Sequence, residues 1–344
     1  MAPFNQAVTV HRKGPQDAAN FEGRTVDYEG IMDPTWNIGN VPCGGYSLAL
    51  ILEACIQHQE KTEHIDPLHI SSHFLKPTTS ALPFLVRVRT VKTGKTITNL
   101  LADLIQGDAL RITAHAMFGL NGPLSEGDFV LQPPSPYARR LPLYSHPSQA
   151  KHTPMFGVWR TNQQVSWAHD TATLEKNQPG HPNRTNSETV GGGGTEWAAW
   201  FQFEQPTEKL SNVYIPLLVD MFMNTRSLLP LGEGGTEDAA HWAPTMTLAV
   251  DFKFPVRNLT PHHSSKTVGL YSSGRFVNHP QSRHDIYVEV WSAPSKIGEG
   301  APEEGWRDKQ ICLAIATQMA LTLPMAVNLK NAERNHQSLK AAKL

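Results

Sequence analysis

The spacing of apolar and polar positions along this chain changes in an order that occurs twice. Residues 44–59, GGYSLALILEACIQHQ, carry apolar side chains at helical spacing behind Gly44-Gly45, which predicts one long helix. The period then becomes strand-like in LHISSHFLKP (68–77), LPFLVRVRTVKTG (82–94), TITNLLADLIQGD (96–108) and ALRITAHAMFG (109–119), with Gly-bearing turns between the runs. One helix followed by a four-stranded antiparallel meander is the expected unit.

A Pro-rich stretch, 122–154, precedes the second occurrence. Strands are expected within FGVWRTNQQVSWAHD (156–170) and TEWAAWFQFEQP (195–206), with a flexible loop, GHPNRTNSETVGGGG, between them. A second helix is expected in PLLVDMFMNTRSLL (216–229), with Pro216 in its first turn and Pro230 at its end. Four more strand-like runs follow: TMTLAVDFKFP, TVGLYSSGRFVNH, RHDIYVEVWSAP and QICLAIATQMALTLP. Aligning Pro77 with Pro255 sets His69 opposite Thr247, and aligning the closing strands sets His115 opposite Gln318. The expected fold is α+β, a duplicated unit in which two antiparallel sheets each wrap an apolar helix. The expected boundaries are 1–121 for the first unit, 122–154 for a linker, 155–325 for the second unit with a flexible insert at 171–195, and 326–344 for a polar tail.

Composition narrows the partners. The 344 residues include 30 basic and 31 acidic side chains, a net charge of −1, which gives no pull toward nucleic acid or anionic lipid. Cys43, Cys55 and Cys312 are too few for a disulfide framework and suit a reducing compartment. The first residues lack a signal-peptide core, and no apolar run reaches the roughly 18 residues of a membrane span, so a soluble protein with unused sequons at Asn183 and Asn258 is expected. Ala342-Lys343-Leu344 is a variant of the Ser-Lys-Leu address read by the peroxisomal import receptor. In a eukaryotic source it implies a peroxisomal protein, otherwise a cytoplasmic one.

The chemistry begins with Asp220, a carboxylate inside the otherwise apolar run YIPLLVDMFM. An unpaired charge there costs several kcal/mol, roughly, so it needs partners or a shifted pKa. Thr247 and Gln318 are polar residues in apolar strands, and a helix packed on a sheet can aim one side chain at them. Converging, the three would satisfy one another. Arg226 is the alternative partner, as a simple ion pair.

These residues carry a family resemblance. CGGYSLALILEAC, HISSHFLKP and NLLADLIQGDALRITAHAMFG in the first half, and LLVDMF, TMTLAVDFKFP and IATQMA in the second, resemble the double-hotdog acyl-CoA thioesterases of the thioesterase II branch and their fungal relatives. The likeness runs over nearly the whole chain except the N-terminus, the linker and the insert near Gly191. It implies a double-hotdog fold, an acyl-CoA substrate, no cofactor and a homodimer. It also implies that Asp220, Thr247 and Gln318 hold the hydrolytic water, with backbone donors at Gly44, Gly45 or Tyr46 for the oxyanion. A thioester is an activated acyl group, so a positioned, partly deprotonated water suffices without a protein nucleophile. The first helix has Glu53 nearby but no clear acid at the depth of Asp220, which suggests one hydrolytic centre per chain. Lys76, Arg87, Arg89 and Arg257 are the candidates for the phosphates of CoA.

Other chemistries read less well. Cys43 at a helix start could be a thiolate, although such a cysteine is more often a packing residue. GYSLA (45–49) lacks the second glycine and the strand-turn context of a nucleophile elbow. His69, His73 and His262-His263 show no metal-ligand spacing, GGGG (191–194) lacks the Lys-Ser/Thr of a phosphate loop, and His169-Asp170 reads as a strand end. Two alternatives to hydrolysis stay open: cyclisation, isomerisation or dehydration of a carrier- or CoA-bound intermediate on the same fold, and non-catalytic acyl-CoA binding.

Overall fold

A computed structural model of the chain describes residues 2–14, 23–122, 127, 129–131, 133, 135–154, 160–182, 186–187, 191–192, 195–233, 235 and 240–330. The tripeptide 342–344 and most of the GHPNRTNSETVGGGG stretch lie outside them. Four α-helices occur in the described residues: α1 (Phe4–Ala7), α2 (Gly44–Gln59), α3 (Thr171–Glu175) and α4 (Ile215–Leu218). None is long and apolar enough to cross a membrane.

Twelve strands form one path through a single antiparallel sheet. In chain order they are β1 (His11–Lys13), β2 (Thr25–Ile31), β3 (Asp66–Phe74), β4 (Pro83–Thr93), β5 (Ile97–Gln106), β6 (Ala109–Gly119), β7 (Val165–His169), β8 (Glu196–Phe203), β9 (Thr245–Phe252), β10 (Thr267–Ser273), β11 (Arg283–Ser292) and β12 (Cys312–Ala320). The spatial order is β1-β2-β4-β5-β6-β3-β9-β12-β11-β10-β8-β7, and the short strand Val277–Asn278 pairs with β11 off this path. The order reads the same from either side of the β3/β9 seam, each half being two strands, a helix and four more strands. The expected four-stranded meander is corrected to three, β4-β5-β6 and β10-β11-β12, because β3 and β9 cross over to pair with β6 and β12. The double hotdog read from the sequence is thus the fold, with one further difference. The two sheets are continuous, because β3 and β9 pair directly (His69 with Asp251, Ser71 with Ala249, His73 with Thr247). His69 Nδ1 and Asp251 Oδ1, 2.7 Å apart, tie the seam on its outer face.

α2 turns Glu53 and Gln57 to a half-exposed side, and Tyr46, Leu48, Leu50, Ile51, Leu52 and Cys55 are fully buried between the first half-sheet and α4. Its bounds match the predicted helix. The second helix does not. Only Ile215–Leu218 is α-helical, preceded by a 3₁₀ turn at Asn212–Tyr214 and followed by another at Thr225–Leu228. Val213, Tyr214, Ile215, Leu217, Leu218, Val219, Met221 and Phe222 are all buried. A run buried on all sides carries no period that separates a helix from a compact coil.

Two further segments pack on this frame, the first joining the halves and the second lying on one of them. Phe4, fully buried, stacks edge-on with Trp36 and Tyr214 at 4.8 and 4.9 Å, and the buried Glu208 accepts from the Phe4 and Asn5 amides and from the Tyr214 hydroxyl. The described part of the Pro-rich stretch is a strap and not a free linker. Leu141 and Leu143 are fully buried against Ala198, Trp200, Trp291 and Ala293 on the outer face of the second half-sheet. Asp170 caps α3 and also accepts from the amides of Tyr144 and Ser145 at 2.7 and 2.9 Å, so it is an anchor as well as a strand end. The expected flexible insert therefore begins with an ordered helix. Beyond it, Asn177 exchanges bonds of 2.8 and 3.0 Å with the backbone of Glu196.

Candidate active site

Asp220 lies two residues past the last residue of α4, where the chain tightens into i→i+3 bonds (Asp220 N to Leu217 O, 3.0 Å). Leaving the helix there carries its carboxylate across to the N-terminus of α2. Oδ2 accepts from the Gly45 amide at 2.7 Å and from the Cys43 thiol at 3.0 Å. Oδ1 accepts from Gln318 Nε2 and from Thr245 Oγ1, the latter at 3.3 Å. Gln318 Nε2 also donates to Thr245 Oγ1 at 2.9 Å, while Gln318 Oε1 is buried without a partner among the described residues. Burial pushes the Asp220 pKa up, and the bonds from Cys43, Gly45, Gln318 and Thr245 oppose that shift. The first turn of α2 adds its unpaired amides and dipole in favour of the charged form.

The approach of the two segments requires Gly45, and the placing of Thr245 beside them uses the space left by Gly44. A Cβ at Gly45 would sit 2.2 Å from Pro216 O and 2.7 Å from Asp220 Cβ, and one at Gly44 would sit 2.8 Å from Thr245 Oγ1.

Asp220 and Gln318 are brought together as the sequence suggested, but Thr247 is not with them. Thr247 pairs with Met319 and shares the outer face of the sheet with Asp251, away from the helices. A bulge between Thr245 and Thr247 sets Thr245 opposite Ala320, on the inner face that Gln318 occupies. Two residues stand against one there, so strict alternation fails at this step and Thr245 supplies the hydroxyl. Aligning the repeat on Pro77 and Pro255 could not register that extra residue. The signal available was a second threonine two positions upstream.

Among the proposed backbone donors, Gly44 has an N–H without a partner among the described residues and lines the cavity, while the Tyr46 amide meets the Cys43 sulfur. The Gly45 amide is committed to Asp220. Tyr46 is fully buried, its hydroxyl donating to Ala7 O at 2.8 Å and accepting from the Asp33 amide at 2.9 Å. Cys43 is no thiolate. Burial raises its pKa well above the usual range, and the Asp220 charge and hydrogen bond raise it further. Ser47 is buried and bonded to Cys43 O and Thr78 Oγ1, so it is no exposed nucleophile.

The carboxylate forms part of the wall of a cavity of ≈ 300 Å³. Ile38, Val41, Phe74, Trp167, Phe222, Trp242, Met246, Ile286, Leu323 and Met325 make that wall mainly apolar. A two-stranded ribbon, His241–Trp242 with Leu323–Pro324, continues the β9/β12 ladder along it. Asn328 ties this side to the loop before α2, accepting from the Asn40 amide at 2.9 Å and donating to Ile38 O at 3.0 Å. Of the four basic residues considered for CoA, Lys76 reaches the cavity. Arg87 is paired with Asp27 and Arg257 with the buried Asp66, and Arg89 lies exposed on β4.

Residues 32–119 match the family described as the acyl-CoA thioesterase N-terminal domain. A Mycosarcoma maydis protein named ustilagic acid biosynthesis cluster protein orf2 is 29% identical over 111 residues, a stretch covering 30% of this chain and 29% of that protein. Solved structures share the fold over almost the full length. A Thermobifida fusca YX protein provisionally named thioesterase II superposes with a TM-score of 0.64 at 18% identity, covering 93% of this chain and 97% of its own. A hot dog fold protein from Alicyclobacillus acidocaldarius gives 0.62 at 18%, with the same coverage. The acyl-CoA thioesterase II from Mycobacterium marinum gives 0.59 at 12%, over 93% and 98%. Residues 32–119 thus carry the match to the acyl-CoA thioesterase N-terminal domain, and the chain as a whole has the double-hotdog fold of these structures.

Proposed function

We propose that the chain hydrolyses acyl-CoA thioesters to a carboxylic acid and free CoA, through a water activated by Asp220. The observation that carries this reading is the half-buried Asp220–Thr245–Gln318 cluster at the N-terminus of α2, open to an apolar cavity. Asp220 Oδ1 takes the proton of the water. Gln318 and Thr245 fix the water's orientation, and the Gly44 amide meets the developing oxyanion. The apolar wall receives the acyl chain and Lys76 stands on the side available to phosphate. A volume at the lower end of the usual ligand-pocket range, roughly 300–1,000 Å³, favours a compact acyl group. Glu53, hydrogen-bonded to Gln57 on α2, has no part in this cluster, so the reading has one centre per chain.

Thiol release from a panel of acyl-CoAs tests it. Asp220→Asn is expected to lower kcat by about 10²–10⁴-fold, the usual contribution of a general base. No release from any acyl-CoA by the wild type sinks the reading, and unchanged turnover in Asp220→Asn removes Asp220 as the base. A second reading, another transformation of a CoA- or carrier-bound intermediate, draws on the biosynthesis-cluster relative. Mass analysis of the acyl product separates the two, because hydrolysis alone yields the free acid.

A further inference from the structure

Cys43 immediately precedes α2, with φ −55° and ψ 140°. This extended backbone turns the side chain out of the helix and toward Asp220, where Sγ donates to Oδ2 across 3.0 Å. The residue is only 3% exposed, yet it belongs to the cavity wall. A buried cysteine usually serves as a small hydrophobe with a weak S–H donor. Here the donor is aimed at the one carboxylate of the site and shares its oxygen with the Gly45 amide. Oδ2 is thus fixed by two donors at the start of α2, and Oδ1 is left to Thr245 and Gln318.

We infer that Cys43 is a positioning residue for Asp220: its S–H bond to Oδ2 fixes the carboxylate so that Oδ1 faces the water. The inference rests on the thioesterase reading. Its chemistry runs in one direction. Burial, then the neighbouring carboxylate, keep the sulfur protonated, so it remains a donor at neutral pH. The same bond opposes the effect of burial on Asp220, a shift that would otherwise leave more of the base protonated. Lys76, beyond β3, and His241, on the ribbon, are the other titratable side chains of the wall, and neither bonds to Asp220.

Two measurements test it. Infrared difference spectra of wild type against Cys43→Ala isolate the Cys43 S–H stretch. That band is expected below those of Cys55 and Cys312, and expected to rise in Asp220→Asn, where the charged acceptor is gone. In the pH profile of kcat/KM, the acid limb is expected to move up by about 0.5–1 pH unit in Cys43→Ala, the size of one modest hydrogen bond. Cys43→Ser, whose hydroxyl can make the same bond, should return it. A band that ignores Asp220→Asn, a Cys43→Ala profile that superposes on wild type, or a Cys43→Ser that behaves like Cys43→Ala each overturns the inference. If the wild type releases no thiol, the hydrolase reading fails, and the infrared bands still decide whether Cys43 donates to Asp220.

Discussion

At the scale of single residues, the site is one carboxylate with a donor from each surrounding element: Gly45 and Cys43 from the start of α2, Thr245 from β9 and Gln318 from β12. Asp220 was legible in the sequence because a charge within an apolar run is costly wherever it lands, and Gln318 because an amide in an apolar strand needs a partner. Thr247 was the misreading, by two positions, and the bulge is its cause. The threonines give a sharp test because both lie in β9 and only one faces the carboxylate. Thr245→Val should lower kcat/KM by about 10²-fold, the scale of a misplaced reacting group. Thr247→Val, on the outer face, should stay within about twofold, a margin appropriate to a substitution worth at most ~0.5 kcal/mol. Equal losses in both, measured by thiol release, would contradict the placement given to Thr245.

At the scale of elements, the strands of the first half and the helix α2 could be read closely from periodicity, since each presents one clear repeat to one clear environment. The second helix could not, because its residues are buried all round and Asp220 draws the chain out of the helix after Leu218. The outer strap was invisible for a different reason: Leu141 and Leu143 contribute two buried side chains from a Pro-rich coil with no period at all. Of the Gly44-Gly45 pair, read in the sequence as a helix start, Gly45 sets how closely α2 and α4 approach and Gly44 makes room for the Thr245 side chain. The two positions should therefore fail differently. Gly45→Ala places a methyl 2.2 Å from Pro216 O, a backbone atom, and is expected to cost about 1–3 kcal/mol and lower Tm. Gly44→Ala meets the Thr245 hydroxyl at 2.8 Å, so it should displace that side chain and depress kcat with a smaller change in Tm. Paired melting curves and kinetics check this, and a Gly45→Ala protein as stable as wild type would refute the close-packing argument.

At the scale of the whole molecule, the two halves share a seam and an aromatic brace, and each encloses a histidine that folding keeps neutral. His58, buried in the first half with Nε2 2.9 Å from Thr90 Oγ1, has its pKa lowered from 6.5 to about 4 by burial, with Arg24 and Arg12 adding to the shift. His169, beside Trp167 and Trp197 in the second half, is lowered to about 4 by burial. Between 6.5 and 4 the unfolded chain binds these protons and the folded chain does not, so their contribution to stability is full above 6.5 and is lost as pH falls through that window. Asp220 acts in the opposite sense. Its folded pKa is raised, so its contribution is full below the unfolded value and declines as pH rises through the folded one. The two histidines should dominate on the acid side, at roughly 1–3 kcal/mol each, with the partly exposed His169 toward the lower end. Tm measured from pH 7.5 to 4.5 is therefore expected to fall steadily below 6.5. His58→Gln, which keeps a polar group for Thr90, and His169→Gln should each flatten the decline, and the double variant should flatten it further because the sites lie in different halves. A wild-type Tm that stays level across that range, or variants that retain the full slope, would show that these histidines take up protons without unfolding.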